Sequence, residues 1–219
     1  MNPLVQLILD LVYPPKCLLC GQIMDSSDES LCRNCTYKDL PEYTALPPEI
    51  PHFDACVPVF YYQDEIRDAI LRYKFQGLQN YDRQFAQWMA VLVRDKLAGK
   101  YDLISWVPCS FLRKWKRGYD QSELLAKKLA KELDVSAVRT LRKVRHNPKQ
   151  SRAKSVAQRR ANVLEAYRPW KPEQFRGKRI LLIDDVLTTG ATLSECGKTL
   201  RLAGAGKLVC AVLAAVHGE

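Results

Sequence analysis

Asp184 and Asp185 stand side by side at the end of an apolar run, and a turn rich in hydroxyl groups follows them. The run is Ile180, Leu181, Leu182 and Ile183, four branched apolar residues that read as a buried parallel strand. After the acids and Val186-Leu187 come Thr188, Thr189, Gly190, Ala191 and Thr192, and then Leu193, Cys196, Leu200 and Ala203 recur at helical spacing. Backbone N–H groups at a helix N-terminus, joined by threonine hydroxyls, are able to hold a phosphate monoester. Gly190 lets the backbone approach such a ligand closely. Asp184 and Asp185 are placed to accept hydrogen bonds from sugar hydroxyls or to face a hydrated Mg²⁺. An ordinary strand–turn–helix needs no paired acids at that point.

These thirteen contiguous residues, 180–192, resemble the phosphoribosyl-pyrophosphate (PRPP) signature of the type I phosphoribosyltransferases. The resemblance implies PRPP contacts at Asp184, Asp185, Thr188, Thr189, Gly190, Ala191 and Thr192, with Mg²⁺ held through water by Asp184 and Asp185. Many of those enzymes carry an aspartate where this chain has Thr188. Without it a general base is missing there, so no catalytic residue is assigned.

Four of the eight cysteines form two CxxC pairs, Cys17/Cys20 and Cys32/Cys35, with eleven residues between the pairs. Each pair presents two thiolates from one tight turn, and two such turns complete a tetrahedral Zn²⁺ site. Four Cys ligands make a closed, structural site. The alternatives are two disulfides or a redox CxxC; disulfides conflict with a cytoplasmic location, and two paired motifs argue against a thioredoxin-type site. Cys56, Cys109, Cys196 and Cys210 are isolated among apolar residues and read as small core residues.

The elements that must position these groups follow from periodicity. Met1 to Val12 suits a short amphipathic helix ending before Pro14-Pro15, with no basic segment or cleavage site of a signal peptide. Residues 1–40 therefore read as an N-terminal helix and zinc ribbon. A proline-rich linker occupies 41–54, and the main domain spans 55–219. In that domain a strand is expected from Ala55 to Tyr62, with Pro58 suggesting an edge position. Helices are expected over Asp64–Phe75, Tyr81–Leu97 and Asp120–Leu133, and strands over Tyr101–Val107 and Leu208–Val216. Alternating strands and helices imply an α/β fold with a largely parallel sheet, whose ligands bind at strand C-terminal ends.

The chain has 219 residues and a net charge of +10, unevenly spread. Between Asp134 and Glu165 lie nine Arg and Lys residues and no acid, and without those nine the net charge would be +1. A second cluster is Arg113, Lys114, Lys116 and Arg117 around Trp115. Such clusters suit polyphosphates or nucleic acid. The stretch up to Ala161 reads as part loop, part helix. No apolar run is long enough to span a bilayer, and the protein is expected in the cytoplasm.

Three more segments sharpen the resemblance: Tyr13-Pro14-Pro15-Lys16-Cys17-Leu18-Leu19-Cys20-Gly21, the run Val107 to Ala126, and the run Gln150 to Val163. With the PRPP signature and the paired cysteines, they resemble the ComF family, whose members join a zinc ribbon to a phosphoribosyltransferase domain and are linked to DNA uptake in competent bacteria. The fold implied is a type I phosphoribosyltransferase-like parallel sheet with flanking helices, preceded by a small N-terminal zinc ribbon. Two departures stand out: the usual Arg-Gly-Phe-Asn-Gln is Arg117-Gly118-Tyr119-Asp120-Gln121 here, and a second knuckle found in some members is absent.

The cofactors implied are structural Zn²⁺ and, with PRPP, Mg²⁺. The partners implied are PRPP or a related phosphoribosyl ligand, single-stranded DNA and a DNA-uptake helicase, with a homodimer as the assembly. Lys74, in Tyr73-Lys74-Phe75-Gln76-Gly77, resembles a pyrophosphate-binding turn; Arg113, Lys114, Arg117 and Arg152 are further phosphate candidates. The segment from His146 to Arg160 takes the place of the loop that closes over PRPP in related enzymes. Three functions compete: a PRPP-binding protein of DNA uptake or DNA use, a phosphoribosyltransferase of nucleotide metabolism with an unidentified acceptor, and a nucleic-acid-binding module. The sequence shows no aromatic, base-reading hood and no glutaminase-like N-terminal domain.

Overall fold

The apolar runs at 180–183 and 208–215 are hydrophobic at consecutive positions, as a strand covered on both faces requires. The computed structural model describes residues 14–25, 29–35, 40–75, 81–145 and 165–216. In chain order these contain β1 (Ala55–Tyr61), α1 (Asp64–Phe75), α2 (Tyr81–Leu97), β2 (Leu103–Trp106), α3 (Phe111–Arg117) and α4 (Gln121–Glu132). There follow β3 (Leu141–Lys143), β4 (Tyr167–Pro169), β5 (Ile180–Leu187), α5 (Ala191–Leu202) and β6 (Leu208–Ala215).

Four strands form one sheet in the order β1-β6-β5-β2, and every neighbouring pair is parallel. Pro58 lies on β1, an edge strand, where its missing N–H costs least. Alternate residues of the central strands feed two cores. Leu181, Ile183, Val209 and Leu213 join Ile70 of α1, Phe85 and Met89 of α2 and Leu129 of α4. Ile180, Leu182, Leu208 and Cys210 join Leu193, Cys196 and Leu200 of α5 with Tyr167 and Phe175. The three expected helices are present, the third bounded by Asp120 and Leu133 as its caps.

One element had no expectation from the sequence, and one differs from it. The basic cluster at 111–117 is a helix, α3. The described part of the basic stretch, 139–145, holds strand β3, paired antiparallel with β4. Three-residue strands with charged residues carry no alternation long enough to register as a period. The expected N-terminal helix over 1–12 and the segment 146–164 lie outside the described residues.

The proline-rich segment 41–54 is laid against the main domain. Tyr43 N–H donates to Val59 O at 2.9 Å, and Tyr61 N–H donates to Pro41 O at 2.8 Å. Asp54 accepts from Arg201 (2.8 Å) and from Leu208 N–H (3.0 Å), fastening the segment to α5 and β6. The first cysteine knuckle is packed too: Cys17, Leu18 and Leu19 are buried in the α1/α2 core. No helix among the described residues is long and apolar enough to cross a membrane.

Glycine at 197 permits the contact between α5 and the segment. A Cβ there would lie 2.6 Å from the Phe53 ring and 3.0 Å from His52 Cβ. Gly197→Ala is therefore expected to destabilise the protein by about 1–3 kcal/mol through overpacking, although alanine favours helix. Urea unfolding of the two proteins measures this, and an unchanged midpoint would contradict it.

Candidate functional site

The C-terminal ends of β2 and β5, the N-termini of α4 and α5, and the last turn of α1 converge on one cavity of about 590 Å³. Asp184, Asp185, Thr188, Thr189, Gly190, Ala191 and Thr192 all line it. A parallel strand delivers its last residues to the sheet edge where the following helix starts, so the acids and the threonine turn are neighbours by construction. Gly190 caps α5 at φ 71°, a left-handed conformation that favours glycine. A side chain there would also collide with Ile50, 2.8 Å from the Cβ position. α5 opens at Ala191, and Ala191, Thr192 and Leu193 border the cavity, so the N-terminus of the helix faces it.

Three of the cationic candidates face the acids. Lys74 Nζ lies 2.8 Å from Asp185 Oδ2, with both side chains only 17% exposed. Arg113 and Arg117 of α3 also line the cavity. Arg117 stacks over the Phe75 ring at 4.7 Å and donates to Gln121 Oε1 at 2.8 Å. Lys114 is placed differently: it does not line the cavity, and its Nζ sits 2.8 Å from Glu123 Oε2 on α4. One helical turn puts Arg113 and Arg117 on the cavity side and turns Lys114 away. Arg152 lies outside the described residues.

Other residues complete the wall without having been singled out from sequence. Ser122 Oγ donates to Asp184 Oδ1 at 3.2 Å, and the same oxygen accepts from Asp185 N–H at 2.9 Å. Lys143 of β3 reaches the cavity and lies 3.1 Å from the Tyr167 hydroxyl. Burial, with the Arg113 charge nearby, pulls Lys143 below the usual lysine range. Nothing in its sequence context separated Lys143 from the other cations of the basic stretch. Asp120 is a buried helix cap: it accepts from Cys109 N–H (2.8 Å) and from Glu123 N–H (3.4 Å). Burial and the neighbouring Asp120 push the Cys109 thiol up to about 12, so it is not a ready nucleophile.

The second constellation is Cys17, Cys20, Cys32 and Cys35, whose sulfurs all lie within 4.8 Å of one another. Cys20 and Cys32 Sγ are 3.7 Å apart. The edge of a tetrahedron with Zn–S bonds of about 2.3 Å is roughly 3.8 Å, so four thiolates fit a structural Zn²⁺, whereas a disulfide needs about 2.05 Å. Cys17 Sγ accepts the Cys32 N–H at 3.3 Å. Burial opposes the Cys17 thiolate, but hydrogen bonds from the backbone of Cys20, Cys32 and Leu19 outweigh it and bring the thiol down to about 7.

The two constellations give one prediction each. One equivalent of zinc is expected on the four cysteines. Cys32→Ser is expected to lose it and to unfold the knuckle, because metal-binding energy is folding energy there; metal analysis with thiol alkylation checks this, and four readily alkylated thiols in the metal-free parent would refute it. At Asp184, burial first and the Asp185 charge second push the carboxyl from 3.8 up to about 7. Between those values the folded state holds a proton that the unfolded chain has released, so stability falls as pH rises through that window. Asp184→Asn keeps the acceptor and removes the charge. It is expected to raise the melting temperature at pH 8 by about 2 °C or more, the effect of ~1 kcal/mol in a domain of this size, and by less at pH 5. Melting curves at the two pH values decide it.

Two family models match the chain. The phosphoribosyl transferase domain family matches residues 120–219, and the double zinc ribbon domain family matches residues 8–44. Competence protein F of Haemophilus influenzae is 32% identical over 196 residues, 87% of this chain and 80% of that protein. The DNA utilization protein YhgH of Escherichia coli K12 is 28% identical over 86% of this chain and 85% of that protein. A purine phosphoribosyltransferase from Pyrococcus horikoshii Ot3 superposes with a TM-score of 0.37 at 19% identity, covering 61% of this chain and 73% of that one. With a parallel sheet ending in the acid–threonine turn, a four-cysteine knuckle ahead of it and a relative matched over most of both chains, the chain belongs to the ComF family.

Proposed function

We propose that the cavity at the end of β5 binds PRPP or a closely related phosphoribosyl ligand, and that the protein works in DNA uptake or DNA use. In this reading Thr188 to Thr192 and the start of α5 hold the 5′-phosphate. Asp184 and Asp185 accept from the ribose hydroxyls. Lys74, Arg113 and Arg117, which line the same cavity, take the pyrophosphate end. The observation that carries the reading is that hydroxyls, paired carboxylates and cations converge in one cavity of about 590 Å³, within the usual range for a small-molecule site. Mg²⁺, held through water by the two carboxylates, would neutralise pyrophosphate charge. DNA uptake comes from the names of the relatives, which include a competence protein and DNA utilization proteins.

The chain's own residues have definable work to do. Lys74 is paired with Asp185, and an incoming pyrophosphate offers it a second anionic partner. Releasing that lysine leaves Asp185 to its sugar or hydrated-metal role. Displacing pyrophosphate from C1 requires both phosphate groups to be fixed while negative charge develops on the leaving group. The threonine turn and the cations provide that fixing. Transfer to an acceptor of nucleotide metabolism is the alternative reading. Single-stranded DNA in the cytoplasm is the macromolecular ligand that fits the basic surface.

Calorimetric titration of PRPP, with and without Mg²⁺, tests the assignment. A charge-assisted hydrogen bond contributes ~1.5–3 kcal/mol, so Thr192→Val should weaken binding about tenfold to a hundredfold, and Asp184→Asn with Asp185→Asn by more. The zinc content should stay at one equivalent in these variants. Unchanged PRPP affinity in the double variant would make the signature a structural relic.

A further inference from the structure

Helix α3 buries none of its residues. Phe111 is 78% exposed and Trp115 79%, with Leu112 at 53%, in a protein whose other described aromatic rings are largely packed away. Two sides of the helix do different things. At 100° per residue Arg113 and Arg117 point to the cavity, Lys114 points to Glu123, and Phe111, Leu112, Trp115 and Lys116 share the outer side. Phe111 and Trp115 are four residues apart, so their rings rise one above the other about 6 Å apart along the axis.

We propose that this outer side of α3 is a stacking platform for single-stranded DNA. It rests on the reading above for the class of ligand and adds the surface that takes it. Four of the seven residues of α3 are Arg or Lys and none is acidic. Aromatic rings among cations are what a single strand selects: unpaired bases stack on the rings and the backbone tracks the charges. The two lysines of α3 set it apart from a protein interface core, where aromatic residues and arginine are enriched but lysine is depleted. The inner side of the same helix serves the cavity. Arg117, on the inner side of α3, covers Phe75, which is 57% exposed and lines the cavity. One short helix thus carries cavity-lining cations on one side and exposed rings on the other.

Because the outer side chains of α3 are exposed, their removal leaves the fold intact. Anisotropy of a fluorescein-labelled oligothymidylate, titrated with the full chain in a salt series, is the measurement. Trp115→Ala and Phe111→Ala are each expected to weaken binding about five- to a hundredfold, the range seen when a base loses a stacking ring. Their salt dependence should match the parent's. Lys116→Ala should instead lower the slope of log affinity against log salt by about one. All three should bind PRPP like the parent, while Asp184→Asn with Asp185→Asn should bind the oligonucleotide like the parent. If the parent binds the oligonucleotide through Trp115 but does not bind PRPP, the platform stands and the cavity assignment falls. Oligonucleotide affinity unchanged by Trp115→Ala overturns the platform. So does a parent that ignores the oligonucleotide but binds anionic phosphatidylglycerol vesicles, or that forms a dimer broken by Trp115→Ala.

Discussion

Two adjacent carboxylates, Asp184 and Asp185, stand at the mouth of a parallel sheet, and much of the surrounding structure answers the electrostatic demand they make. Consecutive acids repel, and a cavity wall removes part of the water that would screen them. The protein meets the demand unequally. Asp185 receives the ammonium of Lys74. Asp184 receives the Ser122 hydroxyl and a backbone N–H, and burial first and the Asp185 charge second push its carboxyl up to about 7. Such an arrangement lowers stability, and a ligand that donates hydrogen bonds or brings a cation offsets the cost. Stability given up at a strand end is expected where binding is selected.

Lys74 itself depends on the last turn of α1, where three consecutive residues reach three parts of the molecule. Arg72 donates to the carbonyls of Leu18 (2.9 Å) and Leu19 (2.5 Å) in the cysteine knuckle. The Tyr73 hydroxyl donates to Gln121 O at the start of α4, and the Tyr119 hydroxyl donates back to Tyr73 O. Lys74 reaches β5. Successive helix positions diverge by 100°, so one short turn ties the knuckle, α4 and the acids together. Tyr81 of α2 adds a second tie, with its hydroxyl donating to Lys16 O and Cys17 O. The cysteine knuckle is therefore packed into the core that supports the site.

The cations are arranged by use as well as by number. Some are absorbed by partners: Lys114 by Glu123, and Arg201 by Asp54. Others turn to the cavity, with Arg113 and Arg117 coming from α3 and Lys143 from β3. A chain of net charge +10 thus presents anion-directed side chains on the walls of one concave site and aromatic rings just outside it. Concentrating like charges around a low-dielectric cleft strengthens the field an anionic ligand meets.

The sequence by itself determined the elements whose signal is local. Continuous apolar runs at 180–183 and 208–215 marked the central strands, and spacing marked α1, α2 and α4. The paired CxxC motifs marked four ligands that do cluster, because a tight turn fixes two thiols wherever it occurs. The residues from Asp184 to Thr192 were legible as a unit because strand, turn and helix are contiguous. Only the tertiary structure decided which distant cations join them. It chose Lys74, Arg113 and Arg117 and left Lys114 with Glu123, since direction on a seven-residue helix is set by what packs beside it. It also decided the roles of Ser122, Lys143 and Asp120, which lie from 41 to 64 positions before the acids and meet them through the fold. The short, charged β3 and β4 and the exposed aromatic side of α3 escaped the sequence for the same reason: no periodicity announces a three-residue strand, and a helix that buries nothing has no apolar stripe.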